Sequence, residues 1–235
     1  MPMMIELLRG VHIAAGTLAL AVLGVPMVAR KGGRLHRRSG WVYVWAMATV
    51  SVTALVVSGW RVAFEPARRP AALYLIYVAL LAGSSASSGV RVLRYKTRSE
   101  PHRQPWDIGL AALVVFAAMA IAGYGIARRV PLFVAFAPVG LLVGGGQLYY
   151  WMRPPTTRLH WWFEHMGSML ASSIGALTAF LVVNAPRLGL GRFSIAAWLA
   201  PTLFGVPLTA VWTRYYRRRF AAAETPAPRR QPAAA

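Results

Sequence analysis

The chain has no cysteine and almost no acid: Asp and Glu together number 6, against 26 Lys and Arg, in 235 residues. Without cysteine there is no disulfide framework, no thiolate metal site and no covalently attached c-type haem. Charge as a whole is also scarce, at 14%, where a soluble domain carries about a quarter. What fills the chain instead is apolar, 57% of all residues, and that balance points to lipid as the solvent.

A basic excess of this size fits a nucleic-acid surface, an anionic membrane surface, or the cytoplasmic loops of a membrane protein. Here the charges are divided among the ends of apolar runs, with no nucleic-acid module between them. Nucleic acid is therefore excluded as a partner, and the lipid bilayer takes its place.

A bilayer core of ~30 Å needs roughly 20 helical residues. Seven stretches qualify: Leu8 to Ala29, Gly40 to Trp60, Ala71 to Val90, Ile108 to Ala127, Leu132 to Trp151, Trp161 to Val183 and Ile195 to Trp212. None alternates with period two, which excludes a β-barrel. Trp41, Trp60, Trp106, Trp151, Trp161, Trp162 and Trp212 fall at the ends of these stretches, where an indole suits the headgroup level. The first stretch is longer than a signal-peptide core and follows Glu6 and Arg9, so it reads as a helix that is retained. The expected fold is an all-α, polytopic transmembrane bundle of seven spans over residues 1–220. A basic Ala/Pro tail follows over 221–235, expected to be disordered.

Orientation follows from the basic residues. One side holds Arg30, Lys31, Arg34, Arg37 and Arg38, then Arg91, Arg94, Lys96, Arg98 and Arg103, then Arg153 and Arg158, and finally the tail with Arg217, Arg218 and Arg219. The other side holds far fewer: Arg9, then Arg61, Arg68 and Arg69, then Arg128 and Arg129, then Arg187 and Arg192. Basic residues resist translocation, so the rich side is expected to be cytoplasmic, with the amino terminus out and the carboxyl terminus in. The tail arginines would meet anionic lipids at that face, each contributing on the order of 1 kcal/mol.

Ionisable groups in or beside a span are costly to bury and are the candidates for function. His12 lies in the first span near the outer face. It is too far from the other histidines to share one metal ion and is expected to act alone, handling protons or hydrogen bonds. His36, His160 and His165 lie at the cytoplasmic rim with Glu164, Asp107 and the run Ser84-Ser85-Ala86-Ser87-Ser88. His165, Met169 and Ser172 share one helix face by their steps of four and three. Imidazoles with a carboxylate could hold zinc and activate water, while two facing imidazoles suffice for a b-type haem. His36, His160 and His165 are accordingly the candidate cofactor or metal ligands, and Glu164 and Asp107 the candidate catalytic carboxylates. His12, Ser84, Ser88 and Ser172 are further polar residues within spans. His12 with Gly16, and His36 with Gly40, repeat an H-x-x-x-G step that would let a helix or a flat cofactor approach. No H-E-x-x-H spacing is present.

The segments Gly10 to Leu20 (GVHIAAGTLAL), Lys31 to Met47 (KGGRLHRRSGWVYVWAM) and His165 to Asn184 (HMGSMLASSIGALTAFLVVN) resemble a family of bacterial multi-pass membrane proteins classed as a domain of unknown function. The resemblance implies an integral location in the bacterial inner membrane and carries over no catalytic role to any residue. Three functions are then in view. The first is a non-enzymatic accessory or small-molecule-handling protein, colourless and metal-free. The second is a haem- or metal-binding protein using His36 with His165 or His160, and the third is a metal-dependent lipid hydrolase. Transport is disfavoured, since seven spans do not divide into equal halves and no inverted repeat is evident.

Overall fold

The structure, a computed structural model, describes residues 2–190 and 195–224. It is built from helices α1 (Pro2–Val28), α2 (Arg34–Phe64), α3 (Arg69–Arg91), α4 (Pro105–Ala127), α5 (Pro131–Met152), α6 (His160–Asn184) and α7 (Ile195–Glu224). Short 3₁₀ turns lie at Pro66–Arg68 and Val92–Arg94, and no strand occurs among the described residues. Proline opens α3, α4 and α5, where its missing N–H costs no helical bond. The turn between α1 and α2 needs Gly32, whose φ of 74° lies in the left-handed region.

Helices α1 to α6 are each long and apolar enough to cross a membrane. The surface agrees with a lipid solvent: Phe204 and Leu142 are each 77% exposed, and Phe116 is 64% exposed. Apolar exposure of this kind on every long helix except α3 is foreign to a water-soluble monomer. Helix α7 is not among the six; it carries Pro201 and Pro207 and runs into Arg214, Arg217, Arg218 and Arg219. It continues to Glu224, past the expected start of the tail at Ala221. Residues 225–235, where disorder was expected, lie outside the described residues.

Helix α3 is the most buried of the spans and forms the hub. It packs against α2, α4 and α6, while α1 leans on α2, α5 on α4 and α7 on α6. One core layer joins Tyr74 and Tyr77 of α3 to Val114 and Ala118 of α4 and Phe133 and Phe136 of α5. A second joins Ala19, Tyr43, Met47, Ala82 and Ala86. Small residues set the closest approach. A Cβ at Gly144 would stand 2.9 Å from the Ala111 carbonyl oxygen and 3.0 Å from the Val115 nitrogen, so α4 and α5 touch backbone to backbone there.

Tyr77 performs a repair within this core. Its hydroxyl donates to the Phe136 carbonyl at 2.8 Å and accepts from the Gly140 N–H at 2.8 Å. Those two groups are the i and i+4 partners of one α5 turn, which contains Pro138. The phenol is thus inserted into the helical ladder, satisfying both backbone groups where no water is at hand.

Candidate functional site

The basic connections gather at one end of the bundle, and there the polar side chains meet. His36, at the start of α2, donates from Nδ1 to the Pro26 carbonyl at 3.0 Å. His165, in the first turns of α6, donates from Nδ1 to the Gly89 carbonyl at 2.6 Å. Both acceptors lie among the last carbonyls of a helix, α1 and α3 respectively, which lack partners within their own ladder. A carbonyl can only accept, so each Nδ1 carries the proton and each neutral imidazole has its lone pair on Nε2.

The two rings lie in a T-shaped arrangement, with centroids 6.3 Å apart and planes at 69°. They sit between the negative ends of α1 and α3, a field that favours a cation. Below them, Met169 follows His165 by one turn; its methyl would stand 2.7 Å from a Cβ at Gly89, so it lies over that glycine. The Tyr43 hydroxyl then meets Ser172 Oγ at 3.1 Å and accepts from Ser173 Oγ at 3.3 Å. A polar seam thus runs from the His36 and His165 pair into the bundle between α2 and α6. Lys31 flanks it, donating to the Pro26 and Met27 carbonyls at 3.1 and 2.6 Å, and burial holds its ammonium below the ordinary lysine range.

The other rim residues are engaged elsewhere. His160 donates from Nε2 to the Lys96 carbonyl at 3.2 Å and accepts on Nδ1 from the Tyr150 hydroxyl at 2.8 Å. Asp107 receives a two-pronged contact from the Arg91 guanidinium and a bond from His102 Nε2 at 2.9 Å. Glu164 accepts from Ser168 at 3.1 Å. Arg98 donates to the carbonyls of Tyr150, Trp151 and Arg153, closing the end of α5. Among the described residues no three of His, Asp and Glu converge as a metal-ligand group.

His12 lies away from this end, donating from Nδ1 to the Val50 carbonyl at 3.2 Å and to Thr53 Oγ1 at 3.0 Å. Its partner Gly16 packs on Val50, whereas Gly40 faces open space, so only the first H-x-x-x-G step seats a helix. Ser84 donates back to the Leu81 carbonyl at 3.1 Å, and Ser88 Oγ is buried without a hydrogen-bond partner among the described residues. Tyr77 and Tyr150 were not singled out from sequence; Tyr77 reaches across the fold to α5, whereas Tyr150 meets His160 ten residues on. No protein-family model matches the chain, and neither does any curated protein or solved structure.

Proposed function

We propose that this chain is a non-enzymatic, cofactor-binding protein of the bacterial inner membrane that holds a transition metal between His36 and His165. The metal is carried as haem iron or as a bare ion. The reading rests on one observation: two imidazoles 6.3 Å apart, each fixed through Nδ1 to a helix-end carbonyl. His36 and His165 would hold such a metal through their Nε2 lone pairs, and it would supply redox or electron-transfer chemistry there. The Nδ1–H bonds to the Pro26 and Gly89 carbonyls fix the orientation of the two rings.

In this reading all seven helices span the membrane, the amino terminus is outside, and the site faces the cytoplasm. The surplus of Lys and Arg at the site's end supports that orientation. The bacterial family resembled by Gly10 to Leu20, Lys31 to Met47 and His165 to Asn184 supports the location.

The test is an absorption spectrum with elemental analysis of detergent-purified protein, expressed with haem precursor, iron and copper supplied. The expected result is a Soret band or a stoichiometric metal, lost in both His36→Ala and His165→Ala. Folded wild-type protein that stays colourless and metal-free would leave the two histidines as caps of α1 and α3 and nothing more.

A further inference from the structure

Helix α7 runs antiparallel to α6. Gly205 lies against Ile174, while Tyr216 and Phe220 meet Trp162 at the start of α6, with ring centroids 4.7 and 5.1 Å away. The last turns of α7 therefore stand at the basic end of the bundle, among aromatic rings of the kind that settle at headgroup level. One exposed face of α7 changes character along its length. Phe204, Leu208, Val211 and Tyr215 follow one another at steps of four, three and four, and all are exposed. Arg218 and Arg219 continue that face three and four residues further on, with Arg214 beside them.

Val211, Arg214, Tyr215, Arg218 and Arg219 line an open groove of about 570 Å³. Its charge is not neutralised, since none of the three guanidiniums makes an ion pair among the described residues. Arg219 reaches back to the Tyr215 hydroxyl at 3.5 Å, whereas Arg214 and Arg218 have no hydrogen-bond partner among the described residues. Other cations of this end are engaged. Arg217 lies over the Phe163 ring at 5.1 Å, Arg153 over Tyr149 at 5.0 Å and Lys96 over Trp161 at 4.5 Å. In sequence Arg217, Arg218 and Arg219 form one basic block. The helix divides it, turning Arg217 onto α6 and leaving Arg218 with Arg214 on the exposed face.

A face that is apolar along the span and cationic at its rim matches an acyl chain that ends in an anion. A soluble anion would use the arginines and leave the apolar stripe, and an uncharged lipid would do the reverse. Phosphate suits the cationic end, because the planar N–H groups of a guanidinium can pair with two of its oxygens.

We propose that this face of α7 is a binding site for an anionic phospholipid, its phosphate held by Arg214 and Arg218 and one acyl chain laid along Val211, Leu208 and Phe204. The site is separate from the His36 and His165 pair and does not depend on a metal there.

The experiment titrates the full chain in detergent micelles with phosphatidylglycerol and counts bound lipid by native mass spectrometry. The expected result is one tight, saturable lipid per chain, preferred over phosphatidylcholine with the same acyl chains. Affinity should fall roughly thirtyfold in Arg214→Gln/Arg218→Gln, the loss of two basic contacts. Arg153→Gln/Arg217→Gln removes the same charge from side chains that lie over rings and should keep the wild-type affinity. Equal weakening in the two double variants, equal binding of phosphatidylcholine, or equally tight binding of the water-soluble headgroup glycerophosphoglycerol would overturn the proposal.

Discussion

Replacing Tyr77 by Phe removes a single oxygen that serves two backbone groups of α5, the Phe136 carbonyl and the Gly140 N–H. The ring stays in its layer between Val114, Phe133 and Phe136, so little apolar contact is lost. In membrane proteins a hydrogen bond contributes on average ~0.6 and at most ~1.7 kcal/mol, so two lost bonds come to about 1–3 kcal/mol. The upper end applies if the α5 turn cannot reclose, and Pro138 inside that turn resists closure. Tyr74→Phe is the matched control, since it deletes an equally buried hydroxyl that has no partner. It should change stability by less than about 0.5 kcal/mol or raise it. Equilibrium unfolding in mixed micelles, followed by helical circular dichroism, measures both. Equal stabilities for Tyr77→Phe and wild type, or an equal loss in the two variants, would refute the account of the inserted phenol.

Other outcomes follow from the same contacts. Gly144→Ala should cost about 1–3 kcal/mol by the same unfolding assay, because its methyl meets the backbone of α4 rather than a movable side chain. Asp107→Asn should cost about 2–3 kcal/mol, less than a fully buried pair because Arg91 is partly exposed, and should also release His102. His160→Ala and His12→Ala should leave the metal or haem content of purified protein unchanged, since neither ring approaches the His36 and His165 pair. The cysteine-free chain suits labelling: Thr97→Cys should react only from the cytoplasmic side and Leu188→Cys only from outside, whereas labelling of both from one side would refute the orientation.

The sequence made the helices legible because lipid demands continuous apolar runs, and the expected stretches fall inside the observed helices almost end for end. The discrepancies lie at helix ends: α1 begins at Pro2 rather than Leu8, and α2 at Arg34 rather than Gly40. The first turns of α2 carry Arg34, Arg37 and Arg38, which hydropathy assigns to a loop but which a helix carries without difficulty at the interface. The expected stop at Trp212 falls short of Glu224 for the same reason. The site was legible only in part. His36 and His165 were candidates from their residue type and depth, but nothing in their spacing says that α2 and α6 meet at α3. His160 carried the same signal and was drawn aside by Tyr150 of α5 and by the Lys96 carbonyl in the connection between α3 and α4. The anchoring of Tyr77 to Phe136 and Gly140 joins residues about sixty positions apart and leaves no local trace.

The central claim, that His36 and His165 share one metal, is tested most directly by pulsed electron paramagnetic resonance of the metal-loaded protein, counting imidazole nitrogens at the paramagnetic centre. The account predicts two imidazoles in wild type and one in either single alanine variant. A wild-type centre with one imidazole or none, or a two-imidazole signal that survives loss of both histidines, would contradict it.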